Sequence, residues 1–421
     1  DEIIIAIPSA TAGQMRTIVA LCEKSGVPFK TVPGFGELMN GNPSIKALRK
    51  VAYRDLLGRE VVTLDKAGIG AYLEGKTVLV TGAGGSIGSE LCRQIINFSP
   101  GRIVLFDRSE TALYEIDLEL KERSRSKVPV SPVLGDIQDR HQLIQVFERL
   151  NPHVVFHAAA YKHVPMLEAH PWKAVKNNIV GTRNVMELSR RFAVERFVLV
   201  STDKAVRPAN VMGASKRVAE LLLQAGNGGA ECPTQFMIVR FGNVLGSAGS
   251  VIPLFQRQIE KGGPVTVTHP EVTRFFMTVS EACQLILQAG AIGNTGGGRA
   301  EVFVLRMGTP VKIVDMARDL IRLSGLEPDR DIGIEFTGLR PGEKLYEELI
   351  VEGEGVVPTG HDKIMVLRGA EAGTAVLNGV IEELERLAGL QDGAAIKACL
   401  KKIVPEYTPY VSGNTPDRSR L

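Results

Sequence analysis

The sequence predicts an α/β fold: a Rossmann-type, doubly wound parallel sheet with a smaller C-terminal substrate lobe and a partial N-terminal α/β domain. Three observations support this prediction. Short apolar runs alternate with helical patterns between residues 75 and 235, which is typical of a parallel sheet covered by helices. A glycine-rich loop follows the first of these runs, and from about residue 236 the spacing becomes irregular and rich in Gly and Pro.

The elements follow from these patterns in chain order. A strand at 2–8, a helix at 11–25 and a strand at 27–33 form one αβ unit, which supplies too few strands for a sheet of its own. The other predicted elements are a short helix near 43–57, strands at 77–80, 102–107, 128–134, 153–157 and 196–201, helices at 89–97 and 109–123, and helical periodicity over 373–403.

The 421 residues suggest two to three domains of about 150 residues each. We expect a partial nucleotide-binding-like domain (1–34), a connector (35–74), a Rossmann domain (75–235), a ligand-binding lobe (236–370, with some elements returning to the Rossmann domain), and C-terminal helices and tail (371–421).

Composition excludes several classes of function. The formal charge of +3 is too small to indicate nucleic-acid binding, and no segment approaches the ~20 apolar residues of a membrane helix. The five cysteines are far apart and lack metal-ligand spacing, which predicts buried thiols in a reducing compartment. His153 and His157 would lie about 13 Å apart along a strand, and no other ligand completes a set, so we expect no metal site.

The loop after the first Rossmann strand has the chemistry of a phosphate cradle. Gly82, Gly85 and Gly88 have the spacing Gly-x-x-Gly-x-x-Gly, and Ser86 and Ile87 lie between the last two. Small residues let the backbone approach a pyrophosphate, whose charge is stabilised by the helix N-terminus. A plain tight turn would use similar residues. The phosphate-binding interpretation therefore depends on the strand that precedes the loop and the helix that follows it.

Acidic residues after the next two strands predict the rest of a dinucleotide site. A carboxylate at Asp107 can bond the ribose 2′-hydroxyl and repel a 2′-phosphate, which favours NAD over NADP. Arg108 could instead bind a 2′-phosphate. Asp136 suits contact with adenine, although a turn residue would fit the spacing equally well.

Further motifs give the chain a specific family resemblance. These are His157-Ala-Ala-Ala-Tyr-Lys-His-Val-Pro165, Ser201-Thr-Asp-Lys204, Met212-Gly-Ala-Ser-Lys216, Arg240-Phe-Gly-Asn243 and Leu339-Arg-Pro-Gly-Glu-Lys344. With the glycine loop they resemble the extended short-chain dehydrogenases/reductases, and more narrowly the large UDP-N-acetylglucosamine 4,6-dehydratases of bacterial polysaccharide biosynthesis. The resemblance covers roughly residues 60–370.

One position departs from the superfamily pattern. The usual Tyr-x-x-x-Lys pair has Met212 in place of tyrosine and keeps Lys216. A thioether cannot accept a proton, so without the resemblance this would indicate an inactive site or a core methionine. The large dehydratases that the chain resembles also carry methionine there, which implies retention of the C5 configuration, whereas the shorter, inverting relatives keep tyrosine.

The resemblance implies a role for each catalytic candidate. Asp203 would protonate the departing 6-hydroxyl, Lys204 would remove the C5 proton, Lys216 would bond the nicotinamide ribose and Thr202 the sugar 4-oxygen. The acceptor of the 4-hydroxyl proton stays open between Thr202, through solvent, and Asp203. In isolation, the acid–base pair would more often be a surface ion pair, and the threonine a turn cap.

The resemblance also implies the remaining contacts. Ile137, Ala158 and Ala159 would join the NAD site, and the UDP-sugar would be contacted by Lys162, His163, Asn177, Asn243, Arg274, Arg340 and Glu343. A structural salt bridge is the alternative for each arginine.

We therefore expect an NAD-dependent lyase that removes water from UDP-N-acetylglucosamine, with tightly bound, recycled NAD. A UDP-sugar 4-epimerase and a non-catalytic NAD-binding regulator are the alternatives. We also expect a homo-oligomer, and a segment that makes no membrane contact itself but belongs to a membrane-anchored protein at the cytoplasmic face of the bacterial inner membrane. The sequence does not show the stereochemistry directly, the downstream glycan or the oligomer size.

Overall fold

The structure is a computed structural model that describes residues 1–7, 9–32, 51–57, 59, 62–124, 128–226, 232–293, 300–350, 355–368 and 374–410. By its internal contacts the chain divides into two compact units, each described here by itself. The sheet unit comprises Leu64–Gly242, Ala282–Arg306 and Arg340–Leu421. The lobe unit comprises Asp1–Thr63, Asn243–Glu281 and Met307–Leu339.

The described strands are β1 (Ile3–Ile5), β2 (Phe29–Thr31), β3 (Thr77–Thr81), β4 (Arg102–Asp107), β5 (Val130–Leu134), β6 (Val154–His157), β7 (Arg196–Val200), β8 (Gln235–Arg240), β9 (Asn243–Leu245), β10 (Val265–Val267), β11 (Thr273–Arg274), β12 (Phe276–Thr278), β13 (Glu301–Leu305), β14 (Val311–Lys312), β15 (Ile334–Phe336), β16 (Gly355–Pro358) and β17 (Ile364–Arg368).

The described α-helices are α1 (Ala12–Ser25), α2 (Tyr53–Leu56), α3 (Lys66–Leu73), α4 (Ser86–Ile95), α5 (Glu110–Ser124), α6 (Arg140–Leu150), α7 (Val164–Ala169), α8 (Pro171–Ala174), α9 (Thr182–Arg191), α10 (Val211–Gly226), α11 (Val251–Glu260), α12 (Val279–Ile292), α13 (Ile313–Leu323), α14 (Thr374–Leu390) and α15 (Gly393–Ile403). A π-helix spans Val175–Gly181 and a 3₁₀ turn spans Asp203–Ala205.

The sheet unit is built on a nine-stranded sheet in the order β16-β17-β13-β8-β7-β6-β3-β4-β5. From β13 to β5 every pair of neighbours is parallel, while β16 and β17 add an antiparallel edge. The strands β6 and β13 are buried along their whole length, as expected for a sheet covered on both faces. The predicted doubly wound fold is therefore confirmed, with its order reversing between β3 and β6, where such sheets bind ligands.

The lobe unit contains the N-terminal αβ piece. β1 and β2 pair in parallel, and α1 begins at a capping box in which Thr11 and Gln14 bond each other's backbone amides. Side chains of α1 share one hydrophobic core with those of α11 and α13. The sequence placed residues 1–34 in a separate partial domain; here two short strands and one helix bury their apolar side against the lobe instead, because so small a piece has no core of its own.

The other boundaries of the units also differ in detail from the expected ones. Residues 282–306 and 340–368 lie in the sheet unit, whereas the expected lobe ran from 236 to 370. The predicted helix near 43–57 is described only at its end, as α2, and its remainder lies outside the described residues. Among the helices that the structure describes, none is long and apolar enough to cross a bilayer.

Candidate active site and dinucleotide cleft

The glycine loop turns from β3 into α4 as the sequence predicted, although α4 begins three residues earlier than expected. Gly82 has φ +69°, and Gly85 is the N-cap, so Ser86 and Ile87 are already helical. A Cβ on Gly88 would lie 2.0 Å from the carbonyl oxygen of Gly82. Only glycine allows helix and loop to approach this closely, which leaves the helix N-terminus open to a phosphate.

A cleft opens at the carboxyl ends of the strands next to this loop. Its lining includes these residues predicted for the cofactor: Gly82, Gly85, Asp107, Arg108, Asp136, Ile137, Ala158 and Ala159. It also includes Asn177, which was assigned to the sugar, and four residues that the sequence reasoning missed: Phe106, Gly135, Ala160 and Tyr161. The cradle and the cleft at the sheet's reversal point fit a dinucleotide.

The acidic residues of this cleft also shape its loops. Asp107 accepts hydrogen bonds from the backbone amides of Gly84 (2.9 Å) and Ser109 (2.8 Å), so its carboxylate fixes the glycine loop. Asp136 accepts a bond from the Gln138 amide at 2.9 Å. Asp136 thus makes the turn that the alternative interpretation expected and lines the cleft as well.

The guanidinium of Arg108 already has partners within the cleft. It lies 4.3 Å from the centroid of the Tyr161 ring and 3.8 Å from the carboxylate of Asp136. A cation over an aromatic face is held electrostatically by the ring quadrupole. This arrangement makes Arg108 part of the wall beside Asp136.

His157, at the end of β6, is a buried structural residue. Thr182 donates its hydroxyl proton to the carbonyl of Asn178, so it accepts from Nε2 of His157 at 2.9 Å, and Nδ1 accepts from Thr81 at 2.7 Å. Burial, together with the charge of Lys216, lowers the pKa of His157 to about 3. The imidazole is therefore neutral at physiological pH. Within the described residues no His, Cys, Asp and Glu group could hold a metal ion.

Asn178 connects the cleft to α10, and the sequence reasoning did not single it out. Its side chain accepts from the Tyr161 amide (2.8 Å) and donates to the Tyr161 carbonyl (3.0 Å) and to Ser215 on α10 (3.0 Å). The neighbouring Asn177 donates to it at 3.0 Å. Both lie on the π-helix, a geometry often found at functional sites that has no clear sequence signal.

The predicted acid–base pair lies on the 3₁₀ turn that follows β7. Asp203 is fully buried, and its Oδ1 atom accepts from the Thr202 hydroxyl (2.9 Å) and from the Lys204 ammonium (2.9 Å). Its Oδ2 atom has no hydrogen-bond partner among the described residues. Thr202 also caps the turn by accepting from the Lys204 amide at 3.3 Å, which is the turn-cap alternative that the sequence left open for this threonine.

A second carboxylate faces Lys204 from a distant part of the chain. Glu347 is buried, and its Oε1 atom lies 3.9 Å from the Lys204 Nζ atom. Lys204 thus lies between two carboxylates, of which the sequence reasoning identified only one. The sequence offers only one hint of this role for Glu347, which is its position three residues after the Leu339–Lys344 motif.

Helix α10 packs directly on the 3₁₀ turn that carries Asp203 and Lys204. A Cβ on Gly213 would lie 2.1 Å from the Lys204 carbonyl oxygen, so glycine is required where the helix meets the turn. Met212 is buried in the core of the sheet unit, and Lys216 is also buried. Burial lowers the pKa of Lys216 to about 8, while the charge of Glu220 acts in the opposite direction.

A buried ion pair lies one turn further along α10. Glu220 accepts two bonds from Arg240 (2.8 and 2.6 Å), one from Ser201 (2.6 Å) and one from Arg217 (3.1 Å). Burial alone would raise the pKa of Glu220, but these partners outweigh it and lower the pKa to about 2. The pair fixes α10 to the ends of β7 and β8.

The residues predicted for the sugar nucleotide are distributed over both units. Lys162 and His163 are exposed in the sheet unit between β6 and α7. Arg340 and Glu343 form an ion pair with each other at 3.1 Å, which is the structural alternative that the sequence left open. The other two, Asn243 and Arg274, begin β9 and end β11 in the lobe unit, where the Arg274 guanidinium donates to the Thr273 carbonyl at 2.7 Å.

Comparison with known proteins places the chain in a family. Residues 78–369 match the family model described as polysaccharide biosynthesis protein. The chain belongs to the polysaccharide biosynthesis protein family. Family relatives include the capsular polysaccharide biosynthesis protein CapD of Staphylococcus aureus, 52% identical over 84% of this chain and 58% of CapD. The probable polysaccharide biosynthesis protein EpsC of Bacillus subtilis is 49% identical over 92% of this chain and 64% of EpsC. The chain thus spans about three fifths of the length of these two relatives.

Solved structures share the fold of this family member. Pen from Bacillus thuringiensis is 31% identical, with a TM-score of 0.64 over 74% of this chain and 98% of Pen. DesIV, a dTDP-glucose 4,6-dehydratase of Streptomyces venezuelae solved with NAD, is 22% identical, with a TM-score of 0.54 over 65% of this chain and 88% of DesIV. The likeness to DesIV shows the fold alone.

Proposed function

We propose that this chain carries the active site of an NAD-dependent nucleotide-sugar 4,6-dehydratase, which converts UDP-N-acetylglucosamine to UDP-4-keto-6-deoxy-N-acetylglucosamine with retention at C5. The observation that carries the proposal is the pairing of Asp203 and Lys204. An acid and a base lie side by side at the end of β7, on the strand edge that holds the dinucleotide cleft. An epimerase has no need for such a pair.

The residues of the cleft would hold the cofactor. The glycine loop and the N-terminus of α4 would bind the pyrophosphate, Asp107 would bond the adenosine ribose, and Lys216 would bond the nicotinamide ribose. NAD would supply a hydride acceptor for oxidation at C4 and return the hydride at C6, and Lys204 would return a proton to C5. Because the hydride returns to the same sugar, no net cofactor would be consumed.

Elimination of water would be the task of Asp203 and Lys204. Lys204 takes the C5 proton, which the C4 ketone has acidified, and Asp203 gives its proton to the 6-hydroxyl as that group leaves as water. The contacts of Asp203 support this assignment, because its Oδ1 atom is held by the Thr202 hydroxyl and by the Lys204 ammonium, so acid and base are fixed next to each other. Transfer of one proton from the Lys204 ammonium to the Asp203 carboxylate makes both groups neutral without changing their total charge. This single transfer gives the acid and the base that the elimination needs.

The dehydratase predicts a defined product. UDP-N-acetylglucosamine incubated with the chain and NAD, without reductant, should lose one water by mass spectrometry, and in heavy water deuterium should enter at C5. Proton NMR of the product then gives the C5 configuration. Lys204→Met should abolish the exchange at C5, whereas Asp203→Asn should slow loss of water.

The alternatives give different results in the same experiment. An unchanged mass with an epimerised sugar would indicate a 4-epimerase. No reaction, with NAD found in the purified protein, would indicate a binding protein or a different sugar nucleotide.

A further inference from the structure

We propose that Glu347 is a positioning residue that holds Lys204 at the active site and stabilises its protonated form between turnovers. The inference rests on the proposed function, in which Lys204 is the base. The residues that carry it lie in the short segment 340–348, which begins within the Leu339–Lys344 motif.

The segment 340–348 is fastened to the loop that joins the acid–base turn to α10. Asn210 donates to the Gly342 carbonyl at 3.0 Å, and Lys344 donates to the Val206 carbonyl at 3.1 Å. Arg207 forms a two-pronged ion pair with Glu348. Gly342 has φ +73°, and a Cβ there would lie 2.7 Å from the Asn210 Cβ atom. The segment 340–348 is thus held beside the loop of residues 206–210.

Glu347 is the side chain that this fastening brings to Lys204. Only 4% of the Glu347 side chain and 17% of the Lys204 side chain are exposed, so water screens their interaction little. The ammonium lies 3.9 Å from the Glu347 carboxylate and 2.9 Å from that of Asp203. An opposite charge at such a distance favours the charged form of a lysine.

Other charged groups near the acid–base turn are already balanced. Glu220 on α10 is paired with Arg240. Glu348 is paired with Arg207 and also with Lys344 (3.6 Å), which in addition donates to the Val206 carbonyl. Lys216 on α10 is a buried cation, and the charged group that acts on it is Glu220. In the resting state Asp203 and Glu347 are the two carboxylates next to the Lys204 ammonium, so both favour its protonated form.

The test measures the protonation of Lys204 directly, without requiring turnover. A small amine-reactive reagent is applied to the NAD-loaded protein over a range of pH, and labelling of Lys204 is quantified by peptide mass spectrometry. In Glu347→Gln the pH midpoint of labelling should fall by about 1 to 3 units relative to wild type. In Glu347→Asp, which keeps the charge, the pH midpoint of Lys204 labelling should lie close to that of wild type.

Glu348→Gln is the matched control, because it removes a carboxylate from the same segment but one that faces Arg207. In Glu348→Gln the pH midpoint of Lys204 labelling should match that of wild type. An unmoved midpoint in Glu347→Gln, or an equal shift in Glu348→Gln, would overturn the inference. If Glu347→Gln does not fold, Glu347→Ser removes the same charge with a smaller side chain.

Turnover separates this inference from the proposed function. If Lys204 is the base, the acid limb of the kcat/KM profile in Glu347→Gln should move to lower pH in parallel with the labelling midpoint. A shifted labelling midpoint in a protein that forms no dehydrated product would refute the dehydratase and leave the role of Glu347 standing. If wild type forms the dehydrated product but the midpoint of Lys204 labelling does not move in Glu347→Gln, the dehydratase stands and the role of Glu347 is refuted.

Discussion

The buried ion pair of Glu220 and Arg240 gives the sharpest prediction about stability. Glu220→Gln keeps the shape of the side chain but leaves the Arg240 guanidinium buried without its counter-charge. Removing one partner of a buried pair costs about 3 to 5 kcal/mol. The lowered pKa of Glu220 leads to a similar figure: a fall from 4.5 to about 2 corresponds to about 3 kcal/mol, at about 1.4 kcal/mol per unit.

The same shift fixes the sign of the pH dependence. A carboxylate whose pKa is lower in the folded state stabilises the protein above its ordinary pKa, and this stabilisation is lost as the pH falls through the folded value. Wild type should therefore lose about 3 kcal/mol from this group between about pH 4.5 and pH 2. Glu220→Gln should lack that loss.

Urea unfolding followed by the fluorescence of Trp172, the single tryptophan, reports on the sheet unit that contains the pair. Glu187→Gln is the matched control, because Glu187 pairs with Arg140 at 2.8 Å on the surface and should cost less than about 1 kcal/mol. Adding Arg240→Met to Glu220→Gln should recover part of the loss, since it removes the stranded charge. If Glu220→Gln costs no more than the surface control, the reasoning fails.

Three further substitutions test the cleft and the catalytic helix. Gly88→Ala should destabilise the fold by about 1 to 3 kcal/mol and abolish binding in an NADH fluorescence titration, whereas Gly70→Ala, which meets open space in α3, should do neither. Lys216→Met should weaken NADH binding yet raise stability at pH 7 by about 2 to 3 kcal/mol, because burial lowers the pKa of Lys216 from 10.5 to about 8. The gain should vanish above about pH 10.5 in urea titrations, since wild type itself becomes more stable as the pH rises through that window. Met212→Leu should keep turnover close to wild type and cost less than about 1.5 kcal/mol, because the position is a core site that transfers no proton; a large loss of kcat with an unchanged melting temperature would contradict this.

Local signals made the dinucleotide cleft predictable. The strand, glycine loop and helix are consecutive in the chain, and Asp107 ends the next strand, so their arrangement follows from spacing. The roles of Asp203 and Lys204 were implied by the family resemblance, and their place at a strand end of a parallel sheet determines which edge they occupy.

Residues whose role depends on distant partners were not predictable in this way. Glu347 reaches Lys204 only because the chain returns after the lobe, and Asn178 acts through a π-helix that sequence periodicity does not reveal. Tyr161 was quoted in a motif, but its contact with Arg108 depends on how two loops meet. The N-terminal αβ piece was identified correctly as elements, whereas its packing partners in the lobe were not.

The order of strands in the large sheet has a consequence for synthesis on the ribosome. β8 pairs with β7 on one side and with β13 on the other, but β13 follows only after an excursion into the lobe. Until β13 emerges, β8 is an open edge with apolar side chains, the kind of strand that can pair with another chain. The nascent protein therefore carries an open apolar strand edge between the completion of β8 and the arrival of β13, and a chaperone that covers this edge would prevent its pairing with another chain.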